Sequence, residues 1–174
     1  MAFKYITGTI VPIRDREWAE SMPTEHLDTC FGCGSANPAR LGIKPWVEGD
    51  KIVAELVFDP RFEGGPGLVH GGATAAFFDD LIGFVSMAHQ MPAVTGNLHV
   101  DYLVPIPLGV TVRGEAWLTG VQGRKLYAEA VGYLPDGSRC VEVRSLFIMV
   151  GIEHFQQVAG PEAKTPYQSD EYYP

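Results

Sequence analysis

The chain is short of cysteine, of positive charge and of long apolar runs, and each shortage excludes something. Its three cysteines, Cys30, Cys33 and Cys140, are an odd count, which does not make the paired framework of a small secreted domain. Thirteen Lys and Arg against 21 Asp and Glu leave a formal net charge of −8. No nucleic acid and no membrane is therefore expected as a partner. No apolar stretch approaches the ~20 residues needed to cross a bilayer. The opening MAFKYITGTIVPIRDREW carries charges and a proline where a secretory signal would hold an unbroken apolar core. The expected setting is cytoplasmic. Internal repeats, a G-x-x-x-x-G-K-[ST] phosphate loop and the G-x-S-x-G elbow of an α/β serine hydrolase are also missing.

What is there suits one domain: 174 residues, 46% hydrophobic and 20% charged, enough to bury a sizeable core. The chain is organised around GGPGLVHGGATAAFFDDLIGFVSMAH, Gly64 to His89. A glycine-rich turn leads into a helical pattern from about Gly71 to His89, stopped by Pro92. Ala73, Phe77, Leu81, Phe84 and Val85 share one face of that helix at about 100° per residue. The opposite face, Gly72, Ala75, Ala76, Asp79, Gly83 and Ser86, is small throughout except for the aspartate. A buried carboxylate costs several kcal/mol unless paired, which makes Asp79 the candidate chemical residue. Asp80 falls at the margin of the apolar stripe. Both aspartates can equally be bonded to neighbouring backbone or arginines.

The helix start supplies a second candidate. At Gly71 and Gly72 the first unpaired N–H groups and the positive end of the dipole are open to an approaching carbonyl oxygen. Asp79 lies eight residues on, about 12 Å along the axis, so one helix cannot bring both to one carbonyl. Two antiparallel helices across a twofold axis can, which predicts at least a dimer.

Cys30-Phe-Gly-Cys33 has C-x-x-C spacing, with His26 four residues upstream. A structural zinc site usually draws four ligands from two such pairs, and there is no second pair. A packing or turn role is expected here, with no metal.

In chain order, Lys4 to Ile13 reads as a short strand and Asp15 to Met22 as a helical turn. Cys30 to Arg40 is a Gly-, Asn- and Pro-rich loop. Ile52 to Phe58 alternates as a strand. After the helix come Val94 to Val104, Gly109 to Gly120, Lys125 to Leu134 and Cys140 to Gly151, the last three an antiparallel meander turned by PDGS. The tail from Glu153 is expected to be loosely ordered or packed on the outside. One long helix wrapped by an antiparallel sheet is an α+β architecture.

CFGCGxxNPxxL from Cys30, HGG at His70–Gly72 with Asp79 nine residues after the histidine, and VTGNLHVDYLVPIPLG together resemble the hotdog-fold acyl-CoA thioesterases, in their PaaI-like and THEM4-like branch. The resemblance implies a hotdog domain over residues 30–151, after an N-terminal extension at 1–29 and before a polar tail at 152–174. It implies thioester hydrolysis at a site shared between the chains of a homodimer or dimer of dimers. No cofactor is implied beyond coenzyme A as part of the substrate. Asp79 matches the nucleophile or general base, Gly71 the N–H donor to the thioester carbonyl, Thr95 a residue holding the water or carboxylate, and His70 a positional histidine. Gly72, Phe78 and Asn97 become candidates for substrate contact, and Arg124 and Lys125 for the coenzyme A phosphates. The chain departs from relatives with a polar side chain shortly before HGG, because Gly64 and Gly65 offer no side-chain donor.

Two other readings stay open. His70 or His99, the latter two residues from Asp101, suits a hotdog hydratase or dehydratase. A noncatalytic acyl-CoA-binding protein would keep the same fold.

Overall fold

The computed structural model describes residues 9–161. Its elements are α1 (Arg16–Ser21), β1 (Trp46–Glu48), β2 (Lys51–Val57), α2 (Gly71–Ala88), β3 (Ala93–Tyr102), β4 (Thr111–Gln122), β5 (Lys125–Tyr133), β6 (Arg139–Met149) and α3 (Ile152–Ala159). The strands form one antiparallel sheet in the order β1-β2-β4-β5-β6-β3. The expected meander is β4-β5-β6, and β3 is the edge strand beside β6.

Helix α2 packs across the sheet through Phe77, Phe78, Leu81, Ile82, Phe84 and Val85, each no more than 2% exposed. Two glycines let it lie close. A Cβ at Gly114 would come within 2.8 Å of Leu81 and Phe77, and one at Gly132 within 2.7 Å of Phe78. The α+β hotdog expectation is met.

The structure departs from the expected elements in three places. The strand expected from Lys4 to Ile13 lies partly outside the described residues. From residue 9 onward it forms no strand, although Val11 N–H bonds the Leu118 carbonyl at 2.8 Å. Three residues at Trp46–Glu48 pair with β2 around Gly49, whose φ of +63° suits glycine; so short a strand has too few residues to alternate visibly. The tail expected to be loosely ordered or packed outside instead begins as helix α3, ended by Gly160 at φ +95°.

The N-terminal segment is packed onto α2. Ala19 and Met22 join the core, and Trp18 Nε1 donates to the Met87 carbonyl at 3.3 Å. The small-residue side of α2 is therefore partly covered by this chain's own residues: a Cβ at Gly83 would lie 3.1 Å from His26. No helix among the described residues is long and apolar enough to cross a membrane.

Candidate active site

Helix α2 begins at Gly71, with His70 as its N-cap at φ −62°, ψ 131°. His70 Nδ1 accepts from Gly72 N–H at 2.8 Å, so the histidine plays the part usually taken by Ser, Thr, Asp or Asn. It shapes the helix entrance and occupies the Gly72 N–H. The Gly71 N–H, first in the helix, has no helical acceptor. A cavity of about 150 Å³ lies against this end, lined by Gly71, Thr74, Tyr102 and Ile106 among others.

Asp79, two turns further on, is half-buried and accepts from Thr95 Oγ1 at 2.8 Å. Burial pushes its carboxyl above the usual range, while the Thr95 hydroxyl and the His26 ring pull it partly back. A carboxylate desolvated in this way is a stronger base and nucleophile than one in water.

Strand β3 serves both the start and the middle of the helix. Thr95 meets Asp79, and the Tyr102 hydroxyl donates to the Gly71 carbonyl at 2.8 Å. Residues 95 and 102 differ by an odd number and would face opposite ways in a regular strand. A bulge at Gly96 shifts the register against β6, so both side chains face the helix.

The same bulge moves another candidate away. Asn97 stands two residues from Thr95, yet it pairs with Leu146 while Thr95 pairs with the core residue Phe147. It therefore lies on the sheet face turned from α2, and the structure does not bring it to Asp79. His99 and Asp101 share that outer face. They contact each other at 3.0 Å, and Asp101 accepts from Arg144 at 2.6 Å. A hydratase pair aimed at the helix start is not formed there.

Phe78 is also relocated. Its ring is 0% exposed, packed edge-on to Phe77 and over Gly132. It belongs to the core and lines no open surface of this chain. Arg124 and Lys125 sit at the exposed tip of the β4–β5 hairpin. Lys125, Ile148 and Val94 share one row of the sheet, next to the row of Thr95. Tyr102, not among the expected site residues, holds the first helical carbonyl; its even spacing from Leu98 and Val100 on one strand face was the available signal.

A second cluster adjoins the first. His26, Cys30, Cys33 and Asp80 gather on the N-terminal side of α2. The packing or turn role expected of the cysteines takes in His26 but not Asp80, which lies 47 residues beyond Cys33.

A single long helix lying on an antiparallel sheet, with a carboxylate facing an edge strand, defines a hotdog-type α+β domain. Residues 66–141 match the family model described as Thioesterase superfamily. The acyl-coenzyme A thioesterase THEM4 of Xenopus laevis is 36% identical over 90 residues, 51% of this chain and 40% of that protein. The chain thus spans about two-fifths of this curated relative's length. Among solved structures, the thioesterase superfamily protein RHA08564 superposes with a TM-score of 0.66 at 26% identity, covering 68% of this chain and 62% of that one. The E. coli PaaI protein from the phenylacetic acid degradation operon gives 0.60 at 17% identity, covering 64% and 81%. The chain carries a hotdog-type domain whose residues 66–141 are similar to the thioesterase superfamily, and it is similar to THEM4 in sequence and to PaaI in fold.

Proposed function

We propose that this chain hydrolyses acyl-CoA thioesters as a homodimer, each site combining the Gly71 N–H of one chain with the partner's Asp79. The observation that carries this reading is the placement of Thr95–Asp79 and Tyr102–Gly71 toward opposite ends of one edge strand. An uncovered ten-residue edge invites pairing with a second copy. Antiparallel β3–β3 pairing about a twofold near Leu98 would lay the Gly71 end of each helix beside the partner's Asp79.

The chemistry follows from those groups. The Gly71 N–H and the helix dipole draw charge onto the thioester oxygen. The Asp79 carboxylate, oriented by Thr95, removes a proton from water as it attacks the carbonyl carbon. The carbon–sulfur bond breaks and coenzyme A leaves as thiolate, a good leaving group that needs no strong acid. Direct attack by Asp79, giving an anhydride that water then opens, uses the same geometry. The Arg124–Lys125 hairpin tip supplies cationic contacts for the nucleotide phosphates. In a similar fold from Streptococcus mutans, smu.793, acetyl CoA is bound (TM-score 0.59, 16% identity, 63% of this chain and 89% of that one covered). A cytoplasmic setting is in keeping with three free cysteines.

The test is thiol release from a panel of short, medium, long and aromatic acyl-CoAs, with Asp79→Asn alongside. Turnover that falls by roughly a thousandfold or more in the folded variant supports the reading. Absence of turnover on every member, or unchanged kcat in Asp79→Asn, would sink it.

A further inference from the structure

The C-x-x-C loop gathers donor atoms that thioester chemistry does not use. Four donors meet there: His26 Nδ1, the sulfurs of Cys30 and Cys33, and an oxygen of Asp80, all within 4.8 Å of one another. His26 Nδ1 is 3.1 Å from Asp80 Oδ1 and 3.4 Å from Cys33 Sγ. Cys30 Sγ and Cys33 Sγ lie 3.5 Å and 4.0 Å from that same oxygen. A tetrahedral zinc, with bonds of about 2.3 Å to sulfur and about 2.1 Å to nitrogen or oxygen, sets its ligand atoms roughly 3.4–3.8 Å apart. The observed spacings bracket that range.

The surroundings are built for such a site. The C-x-x-C turn closes with Gly34 N–H on the Cys30 carbonyl at 3.0 Å, and His26 N–H points at Cys33 Sγ at 3.2 Å. The loop passes so close to the carboxylate that a Cβ at Gly32 would run into Asp80. The His26 ring is held flat against Phe84, with centroids 4.1 Å apart. Asp80 Oδ2 is buried without a hydrogen-bond partner among the described residues, which is costly for a carboxylate unless a cation compensates it.

We propose that His26, Cys30, Cys33 and Asp80 form a tetrahedral zinc site that fastens the N-terminal segment to helix α2 beside Asp79. Two thiolates select zinc over magnesium or calcium. Four protein ligands leave no open position, so the ion is structural. It ties α1 and the Cys30–Arg40 loop to the helix, holding the side of α2 that carries the catalytic carboxylate. The site stands whether or not thioesters are turned over.

Metal analysis of the purified full chain tests this, with about one zinc per chain expected and loss of that zinc in Cys33→Ser and in the isosteric Asp80→Asn. Zinc added alone to chelator-treated, reduced protein should raise Tm by roughly 10 °C and shield two thiols from a thiol reagent. Cobalt in its place should give thiolate charge-transfer absorption and the intense d–d bands of a tetrahedral ion. Wild-type readouts keep the test decisive if a variant fails to fold. Three results would overturn the proposal: a reduced wild-type chain in which added zinc neither raises Tm nor protects thiols, zinc retained in full by Cys33→Ser, or a Cys30–Cys33 disulfide in the freshly purified chain.

Discussion

Thr95 Oγ1 donates to Asp79 Oδ1 at 2.8 Å, across sixteen residues of sequence. The contact depends on the Gly96 bulge. Side chains from Leu98 to Tyr102 keep one alternation against β6, and Thr95 needs the other. The extra residue lets one strand pack Leu98 and Val100 against the core and still aim Thr95 at the carboxylate. A Cβ at Gly96 would lie 3.1 Å from Ile148 and 3.3 Å from the Leu146 carbonyl, so a small residue suits the bulge.

Thr95→Ala removes a hydrogen bond to a charged acceptor, worth about 1.5–3 kcal/mol. If that bond orients Asp79 in the transition state, kcat for acyl-CoA hydrolysis should fall roughly 10- to 100-fold. Thr95 is exposed, so water can replace its hydroxyl on Asp79 and Tm should fall by only a few degrees. Thr95→Ser keeps the hydroxyl and should stay within a few-fold of wild type. Equal losses in the two variants would show that the methyl group matters and the hydrogen bond does not.

The parts of this site that were legible in the sequence are those encoded locally. The small-residue face of α2, HGG at its start and Asp79 at its middle all lie on one helix, so helical periodicity alone related them. Thr95 was found through the motif resemblance, since no spacing rule connects it with Asp79. The positions of Asn97 and Phe78 were not legible, for non-local reasons. A bulge reversed the face of Asn97, and glycine on a distant strand, Gly132, opened the core volume that Phe78 fills. The Asp80 cluster was hidden for the same reason: its donors lie 47 to 54 residues from Asp80 in sequence, and the local count of C-x-x-C pairs could not see across that distance.

Phe78 gives a direct test of core against pocket. Phe78→Leu leaves a modest void over Gly132 and should cost about 1–1.5 kcal/mol in denaturant unfolding. The order of preference among acyl-CoAs should remain that of the wild type, because no open surface of this chain is lined by the ring. A changed acyl preference at unchanged stability would return Phe78 to the substrate pocket.

Gly71 allows the shared site to be tested without breaking the helix. It is the first helical residue, where proline is well tolerated because its missing N–H has no helical acceptor. His70 before it has the extended backbone that a following proline requires. The nearest atoms a Cβ at Gly71 would meet belong to Tyr102, at an ordinary 3.5 Å. Gly71→Pro should therefore fold, yet lose roughly 100- to 1,000-fold in kcat through the lost donor. Asp79→Asn should also fold and be inactive. If each site draws Gly71 from one chain and Asp79 from its partner, unfolding and refolding an equal mixture makes about half the dimers mixed, and each mixed dimer holds one intact site. About a quarter of wild-type activity should then return. Should both residues serve a site within one chain, each chain in the mixture would still carry a defect, and activity would remain at the level of the separate variants.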